Sequence, residues 1–204
     1  FLIEFSDCED NYKILKKSML NYLIKNARIC TGLNEKSTIK TVGISEELVG
    51  EILKNRPFVT MNELDKLLGQ MENKEELYTH LFVPFNLNTT AEKDFKMIPG
   101  VGDKMAHEFE EYRPYKSIKQ FRKEIGKYVD EAEVSRYESY VFVPVELNTA
   151  TEADIKALPG LGDKMAHEFN EYRPYSNMKQ FEKEIGKYVD ENELKRLLRL
   201  VYLK

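Results

Sequence analysis

The 204-residue sequence predicts an all-α fold, an array of three related helical units that follows an N-terminal helical segment. An internal repeat predicts the array, because residues 86–142 and 146–202 align without a gap and are identical at 36 of 57 positions. Apolar residues recur at helical spacing, whereas no stretch alternates as a half-buried strand does. These features together predict helices and no strands.

A third, more divergent copy of the unit precedes the two similar ones. Residues 37–69, STIKTVGISEELVGEILKNRPFVTMNELDKLLG, match residues 93–126 once one residue is deleted. This copy lacks the proline of the repeat and carries Ser45 in place of Gly102, so we expect it to deviate from the other copies at residues 42–45. The boundaries that follow are an N-terminal segment at 1–33, unit one at 34–85, unit two at 86–142 and unit three at 143–204.

Units two and three each contain start and stop signals for four short helices, named A to D. The pairs with capping-box spacing are Thr89/Glu92 and Thr149/Glu152 for helix A, and Ser117/Gln120 and Asn177/Gln180 for helix C. Helix A should end before Pro99 and Pro159, because proline excludes helical geometry from the residue before it. Asp130 and Asp190 should cap helix D.

Helix B of unit two should bury one stripe, formed by Met105, Ala106, Phe109 and Tyr112 at helical spacing.

Four glycines should adopt special backbone conformations. Gly126 and Gly186 are expected to end helix C in the left-handed conformation. We expect Gly102 and Gly162, which precede helix B, to have positive φ or to lie too close to a neighbouring backbone for a side chain.

The N-terminal segment lies outside the repeat. Its apolar residues predict an amphipathic helix that packs on unit one; they are Ile14, Leu15, Leu20, Leu23 and Ile24. Cys8 and Cys30 have no metal-ligand spacing, so they form either a disulfide or two separate thiols.

Composition narrows the classes of function. Hydrophobic residues make up 42% and charged residues 32% of the chain, as in soluble globular proteins. No apolar run is long enough to span a bilayer, so membrane insertion is not expected. The formal net charge is −4 and no basic tail is present, which disfavours a nucleic-acid partner.

Two short helices joined by PGVG or PGLG, followed by a looser pair that ends in EIGKYVD, resemble tandem helix-hairpin-helix domains. The units also resemble those of the ComEA-like competence-protein family, which open on LNTAT and LPGLG, as residues 147–151 and 158–162 do. The resemblance covers about residues 34–204. It implies that backbone N–H groups of the hairpins bind nucleic-acid phosphates. The residues implied by position are Gly100, Val101, Gly102, Lys104, Gly160, Leu161, Gly162 and Lys164.

A second resemblance implies a different function. Residues 50–69 and 112–121 resemble the extrinsic photosystem II subunit U, a helix-hairpin-helix module that docks on other proteins and binds no nucleic acid. The fold therefore does not choose between the two functions. These resemblances and the start at Phe1 suggest an extracytoplasmic compartment or an organelle lumen.

The residues around the hairpins favour docking on other protein subunits over binding to duplex DNA. A helix N-terminus attracts phosphate, but Asp103 and Asp163 place a negative charge beside that position. Glu108, Glu110 and Glu111 should add to this charge on the solvent face of helix B. Tyrosine and arginine are favoured anchors of protein interfaces. The candidates for docking are Tyr112, Arg113, Tyr115, Tyr172, Arg173 and Tyr175.

Catalysis is not expected. His107 and His167 precede glutamates, but no second histidine follows at the spacing of a zinc protease. No nucleophile elbow or phosphate loop with its lysine occurs. The sequence therefore predicts a non-catalytic binding protein without a cofactor, a metal or a small-molecule substrate.

Overall fold

The computed structural model describes residues 45–71 and 74–204. Within these residues the chain forms eleven helices and four strands of two residues each, which confirms the all-α class. The predicted N-terminal helix, Cys8, Cys30, the first helix expected in unit one and residues 42–44 of the expected deviation lie outside the described residues. No helix in the described part of the chain combines the length and the apolar character that crossing a bilayer requires.

The helices follow the repeat. Unit one contributes α1 (Glu46–Lys54), α2 (Met61–Leu68) and α3 (Lys74–Tyr78). Unit two contains β1 (Phe85–Asn86), α4 (Glu92–Phe95), α5 (Asp103–Glu111), α6 (Ile118–Ile125), α7 (Glu131–Glu138) and β2 (Val141–Phe142). Unit three contains β3 (Val145–Glu146), α8 (Glu152–Lys156), α9 (Asp163–Glu171), α10 (Met178–Ile185), α11 (Glu191–Leu198) and β4 (Val201–Tyr202).

The prediction that the chain contains no strands was wrong. In unit two β1 pairs with β2 in parallel, with Phe85 opposite Val141, and in unit three β3 pairs with β4, with Val145 opposite Val201. Each strand has two residues, too few to show an alternating pattern. Each pair joins the first and last segments of its unit and thereby closes the unit.

Helices C and D begin as the sequence predicts, whereas helix A does not. The side chains of Ser117 and Asn177 accept hydrogen bonds at the starts of α6 and α10. Asp130 and Asp190 do the same for α7 and α11. The predicted capping boxes of helix A were wrong. Helix α4 begins after Ala91 without a side-chain cap, and α8 is capped by Thr151 with Asp154, because the helices start two residues later than predicted.

The hairpin turn places its left-handed residue one glycine earlier than predicted. Gly100 and Gly160 have φ of 76° and 79°. Gly102 and Gly162 have φ of −87° and −101°, in the extended region that an N-cap residue adopts. A Cβ atom added at Gly102 would meet nothing within 4 Å. The predicted positive φ of Gly102 and Gly162 was therefore wrong. The alternative prediction, that a neighbouring backbone lies too close for a side chain, was also wrong for Gly102.

The glycines that end helix C are required for a reason other than handedness. Gly126 and Gly186 have φ of −61° and −60°, so the predicted left-handed termini were wrong. A Cβ atom at Gly126 would lie 2.8 Å from the carbonyl oxygen of Arg122, and one at Gly186 would lie 2.7 Å from that of Glu182. Close packing of the backbone on the last helical turn thus excludes a side chain.

The apolar residues form two cores. The core of unit two is continuous with that of unit one, and Phe109 lies at its centre with its ring in edge contact with three others. Unit three has its own core, to which Phe142 contributes from the end of unit two. The predicted stripe of helix B is confirmed, since Ala106 and Phe109 are fully buried and Met105 and Tyr112 are partly buried. The Arg-Pro bonds at Pro57, Pro114 and Pro174 are all cis.

Candidate binding surfaces

The hairpin of unit two is contacted by an acid from unit one. The N–H of Gly100 donates a hydrogen bond to Oε1 of Glu75, at 3.4 Å. The N–H of Val101 donates to the carbonyl of Ile98 at 3.0 Å, and the Val101 side chain is buried. A carboxylate therefore lies against one of the N–H groups that the family resemblance assigns to phosphate.

The hairpin of unit three has different contacts. The N–H of Leu161 donates to the carbonyl of Leu158 at 3.2 Å. Within the described residues, the N–H of Gly160 has no hydrogen-bond acceptor. Arg196 instead binds the carbonyl side of the turn, with Nη1 2.8 Å from the oxygen of Pro159 and Nη2 3.4 Å from that of Gly160. The N–H side of this hairpin thus carries no acid corresponding to Glu75.

The first residue of each helix B is an exposed aspartate that is paired with a lysine. Asp103 lies 2.8 Å from Nζ of Lys96, and Asp163 lies 3.0 Å from Nζ of Lys156. The hydrogen bond from Lys96 lowers the pKa of Asp103. Lys104 and Lys164 are exposed and form no ion pair with a residue that the structure describes. Each hairpin therefore offers one unpaired lysine beside a neutralised acid.

Two of the docking candidates belong to the core. Tyr115 and Tyr175 are 2% and 3% exposed. The backbone of each is held by an asparagine at the start of its unit, since the N–H of Tyr115 donates to Oδ1 of Asn88 and that of Tyr175 to Oδ1 of Asn148. Burial raises the pKa of the Tyr115 hydroxyl. Their burial removes both side chains from the surface that a partner could contact.

Arg113 is also held within its unit. Its guanidinium donates to the carbonyls of Leu87 and Thr90, and Nη1 lies 3.1 Å from Glu110. Arg173 of unit three lacks the carboxylate, because Asn170 replaces Glu110. Nε and Nη2 of Arg173 are buried and have no hydrogen-bond partner among the residues that the structure describes. Arg113 thus connects the end of helix B to the start of its unit.

Tyr112 and Tyr172 are the remaining two docking candidates. Each forms a pair with a second tyrosine that the sequence analysis did not identify. The hydroxyls of Tyr112 and Tyr128 lie 2.7 Å apart, and those of Tyr172 and Tyr188 are separated by the same distance. Tyr128 and Tyr188 are 39% and 43% exposed. A lysine lies over the first ring of each pair, with Lys127 Nζ 5.0 Å from the Tyr112 centroid and Lys187 Nζ 5.2 Å from that of Tyr172.

Each tyrosine pair lies beside a buried glutamate. Glu108 and Glu168 were expected on the solvent face of helix B, but both are only 9% exposed, and Oε2 of each has no partner among the described residues. Hydrogen bonds to Tyr112 and to Glu108 raise the pKa of Tyr128 above its ordinary value. The signal for this cluster was the nine-residue identity KEIGKYVDE at 123–131 and 183–191, which lies outside the hairpins.

The repeated histidines lie on the surface. His107 is positioned between two acids, with Nδ1 3.4 Å from Glu92 and Nε2 3.5 Å from Glu111. His167 has one such neighbour, Glu171, at 3.5 Å. Among residues 45–71 and 74–204, no three metal-ligating side chains are grouped so that they could hold an ion.

Comparison with known proteins identifies one motif. The family model described as helix-hairpin-helix motif matches residues 141–197, which run from β2 into the last turn of α11 and include the hairpin of unit three. No curated protein and no solved structure matches the chain. The match supports the predicted motif in unit three, and such motifs are compatible with nucleic-acid binding or with structural roles.

Proposed function

We propose that this chain is a non-catalytic docking or structural subunit that binds another protein through the two tyrosine pairs. The observation that carries the proposal is their repetition. Units two and three present the same arrangement of two tyrosines, a lysine and a buried glutamate, with the outer ring of each pair exposed.

The construction of each pair suits a protein interface. Tyrosine supplies a large contact area with few rotatable bonds, so little side-chain entropy is lost when it is buried by a partner. The hydrogen bond between the two hydroxyls fixes the outer ring before binding. A ring fixed in this way reduces the cost of association.

The presence of two copies strengthens this proposal. A partner that contacts both Tyr128 and Tyr188 would bind the second site at high effective concentration, which can raise affinity by roughly 10²- to 10⁴-fold over one site. Tyr202 is exposed to a similar extent, 40%, but belongs to no such pair. It therefore provides a matched control for the effect of removing an exposed ring.

The experiment compares these tyrosines in a binding assay. Proteins that co-purify with the wild-type chain from its native source are identified, and the strongest partner is purified and titrated against variants. Tyr128→Ala combined with Tyr188→Ala should weaken its affinity at least tenfold, because aromatic anchors dominate such interfaces. Tyr202→Ala should leave the affinity within twofold of wild type. Equal loss in both variants, or no loss in either, contradicts the proposal.

A second candidate function is binding to the backbone of duplex DNA through the hairpin of unit three. The unpartnered N–H of Gly160 and the unpaired Lys164 favour it, with Leu161 and Gly162 completing the turn. Under this alternative Lys164→Glu should reduce DNA affinity more than Lys104→Glu. Glu75→Ala should increase affinity, because it frees the Gly100 N–H for phosphate. Docking as the sole function predicts that none of the three variants changes DNA binding.

A further inference from the structure

A pocket lies where unit one meets unit three, apart from both tyrosine pairs and beside the hairpin of unit three, from which Pro159 lines it. It has a volume of about 60 Å³. A single water molecule needs roughly 10–15 Å³ of such a volume, so the pocket can hold about four to six water-sized groups. This is enough for the charged end of a small organic molecule.

The lining of the pocket combines cations with apolar surface. Arg56, Arg196 and Arg199 line it together with apolar and proline side chains, and none of the described residues that line it is acidic. Acids outnumber basic residues in the whole chain, 35 to 31, so a lining that holds three arginines and no acid from the described residues is a marked local departure from the average. Phe58 and Phe142 supply aromatic surface to the same cavity.

The acids near Arg196 and Arg199 leave Arg199 without a direct carboxylate partner among the described residues. Glu193 pairs with Arg196 at 2.7 Å. Glu63 is the acid that acts on Arg199, but its carboxylate accepts hydrogen bonds from the N–H groups of Val59 and Thr60. With the described residues, Arg199 makes no hydrogen bond or ion pair, and its guanidinium lies 5.7 Å from the centre of the Phe142 ring.

The partial burial of Arg199 in a pocket where it has no directly paired carboxylate among the described residues points to an anionic ligand. Burial lowers the pKa of Arg199, and the nearby charge of Glu63 opposes this effect. A buried charge is costly unless it is paired. The position that corresponds to Arg199 in unit two is Ser139, so the repeat itself does not require an arginine here.

We propose that this pocket binds a small organic anion, a phosphate, sulfonate or carboxylate group attached to a flat apolar body. The anionic group pairs with the guanidinium of Arg199, because arginine presents several N–H donors in a planar fork that matches such oxyanions. The apolar body packs against Phe58 and Phe142. Since residues of units one and three both line the pocket, the site requires both units of the array.

The experiment titrates the full chain with phenyl phosphate and follows binding by calorimetry. Phenyl phosphate should bind at least tenfold more tightly than inorganic phosphate, because inorganic phosphate lacks the apolar body. Arg199→Ser, which introduces the residue found in unit two, should weaken phenyl phosphate binding at least tenfold. Arg199→Gln keeps much of the side-chain length without the charge and should also weaken phenyl phosphate binding at least tenfold. This variant replaces Arg199→Ser in the test if the serine variant does not fold.

Lys195→Ser is the matched control, because Lys195 lies on the same helix and pairs with Glu191 outside the pocket. It should bind phenyl phosphate within twofold of wild type. The proposal is overturned by the absence of phenyl phosphate binding to the wild-type chain. It is equally overturned by a folded Arg199 variant that binds as well as wild type, or by equal weakening in Lys195→Ser.

Discussion

The hairpins of units two and three differ at only three of eighteen positions, 98–115 against 158–175, yet their surroundings are not alike. Glu75 accepts a hydrogen bond from the Gly100 N–H in the first. In the second, Arg196 binds the carbonyl oxygens of the turn, and the Gly160 N–H has no acceptor among the described residues. The shift that aligns Gly69 with Gly126 aligns Glu75 with Ala132, so the acid is not part of the repeat.

This comparison teaches that the sequence of a repeated turn does not determine what the turn can bind. The two turns share glycines, backbone conformation and helix start. The differences come from neighbouring helices, since Glu75 is supplied by the preceding unit and Arg196 by α11 of the same unit. The function of each hairpin therefore has to be derived from its contacts, unit by unit.

The largest expected loss of stability concerns the two cores. Phe109→Ala should reduce the free energy of unfolding by about 3–5 kcal/mol, as expected for a buried phenylalanine. Phe169→Ala should cost about 1 kcal/mol less, because Phe169 has a ring contact with Phe181, whereas Phe109 has ring contacts with Phe95, Phe121 and Tyr137. Urea denaturation of both variants measures the difference. A larger loss in Phe169→Ala would contradict this account of the two cores.

The second comparison tests the arginines beside the turns. Arg196→Gln should destabilise the protein by about 1–3 kcal/mol, because it removes charged donors from two carbonyl oxygens and from Glu193. Its counterpart Arg136 pairs with Glu133 and is more exposed, 34% against 14%, so Arg136→Gln should cost less than about 1 kcal/mol. Thermal unfolding of the two variants provides the comparison. Equal destabilisation would show that the carbonyl contacts of Arg196 contribute nothing measurable.

The smallest effect distinguishes two glycines of the same turn. Gly100→Ala should destabilise the protein by about 1–2 kcal/mol, because φ of 76° disfavours any residue with a Cβ atom. The added Cβ would also lie 3.3 Å from Nη2 of Arg136, a flexible end that can move. Gly102→Ala should change stability by less than about 0.5 kcal/mol, since its φ is negative and the space is open. Unfolding curves in which Gly102→Ala is the more damaging variant would reverse the assignment.

Local sequence signals predicted where helices begin more accurately than they predicted which segments contact one another. Ser117 and Asp130 cap the helices that follow them, because capping depends on residues three positions away. The parallel pairing of β1 with β2 joins residues 56 positions apart, so no local sequence pattern predicts it. The position of the left-handed glycine was missed because the sequence gives two glycines and the geometry of the turn selects the first.

The candidate surfaces were predicted less well for the same reason. Tyr115 has the chemistry of an interface anchor, but its burial depends on how helices pack. Glu108 follows the polar face of helix B by periodicity, yet the loop that carries Tyr128 covers it. Tyr128 and Tyr188 lie in the duplicated segment KEIGKYVDE, but recent duplication explains its identity as well as a shared role does, so the sequence did not single out these tyrosines.

The affinity of the full chain for duplex DNA tests most directly the central claim that the hairpins are not the principal binding surfaces. It is measured near 0.15 M salt, where the Debye length is about 8 Å. Glu75 already accepts the hydrogen bond of the Gly100 N–H, and the chain carries a formal net charge of −4. The account predicts a Kd no tighter than about 100 µM, at the weak end of non-specific binding. Submicromolar, steeply salt-dependent binding that is abolished by combining Lys104→Glu with Lys164→Glu would contradict it.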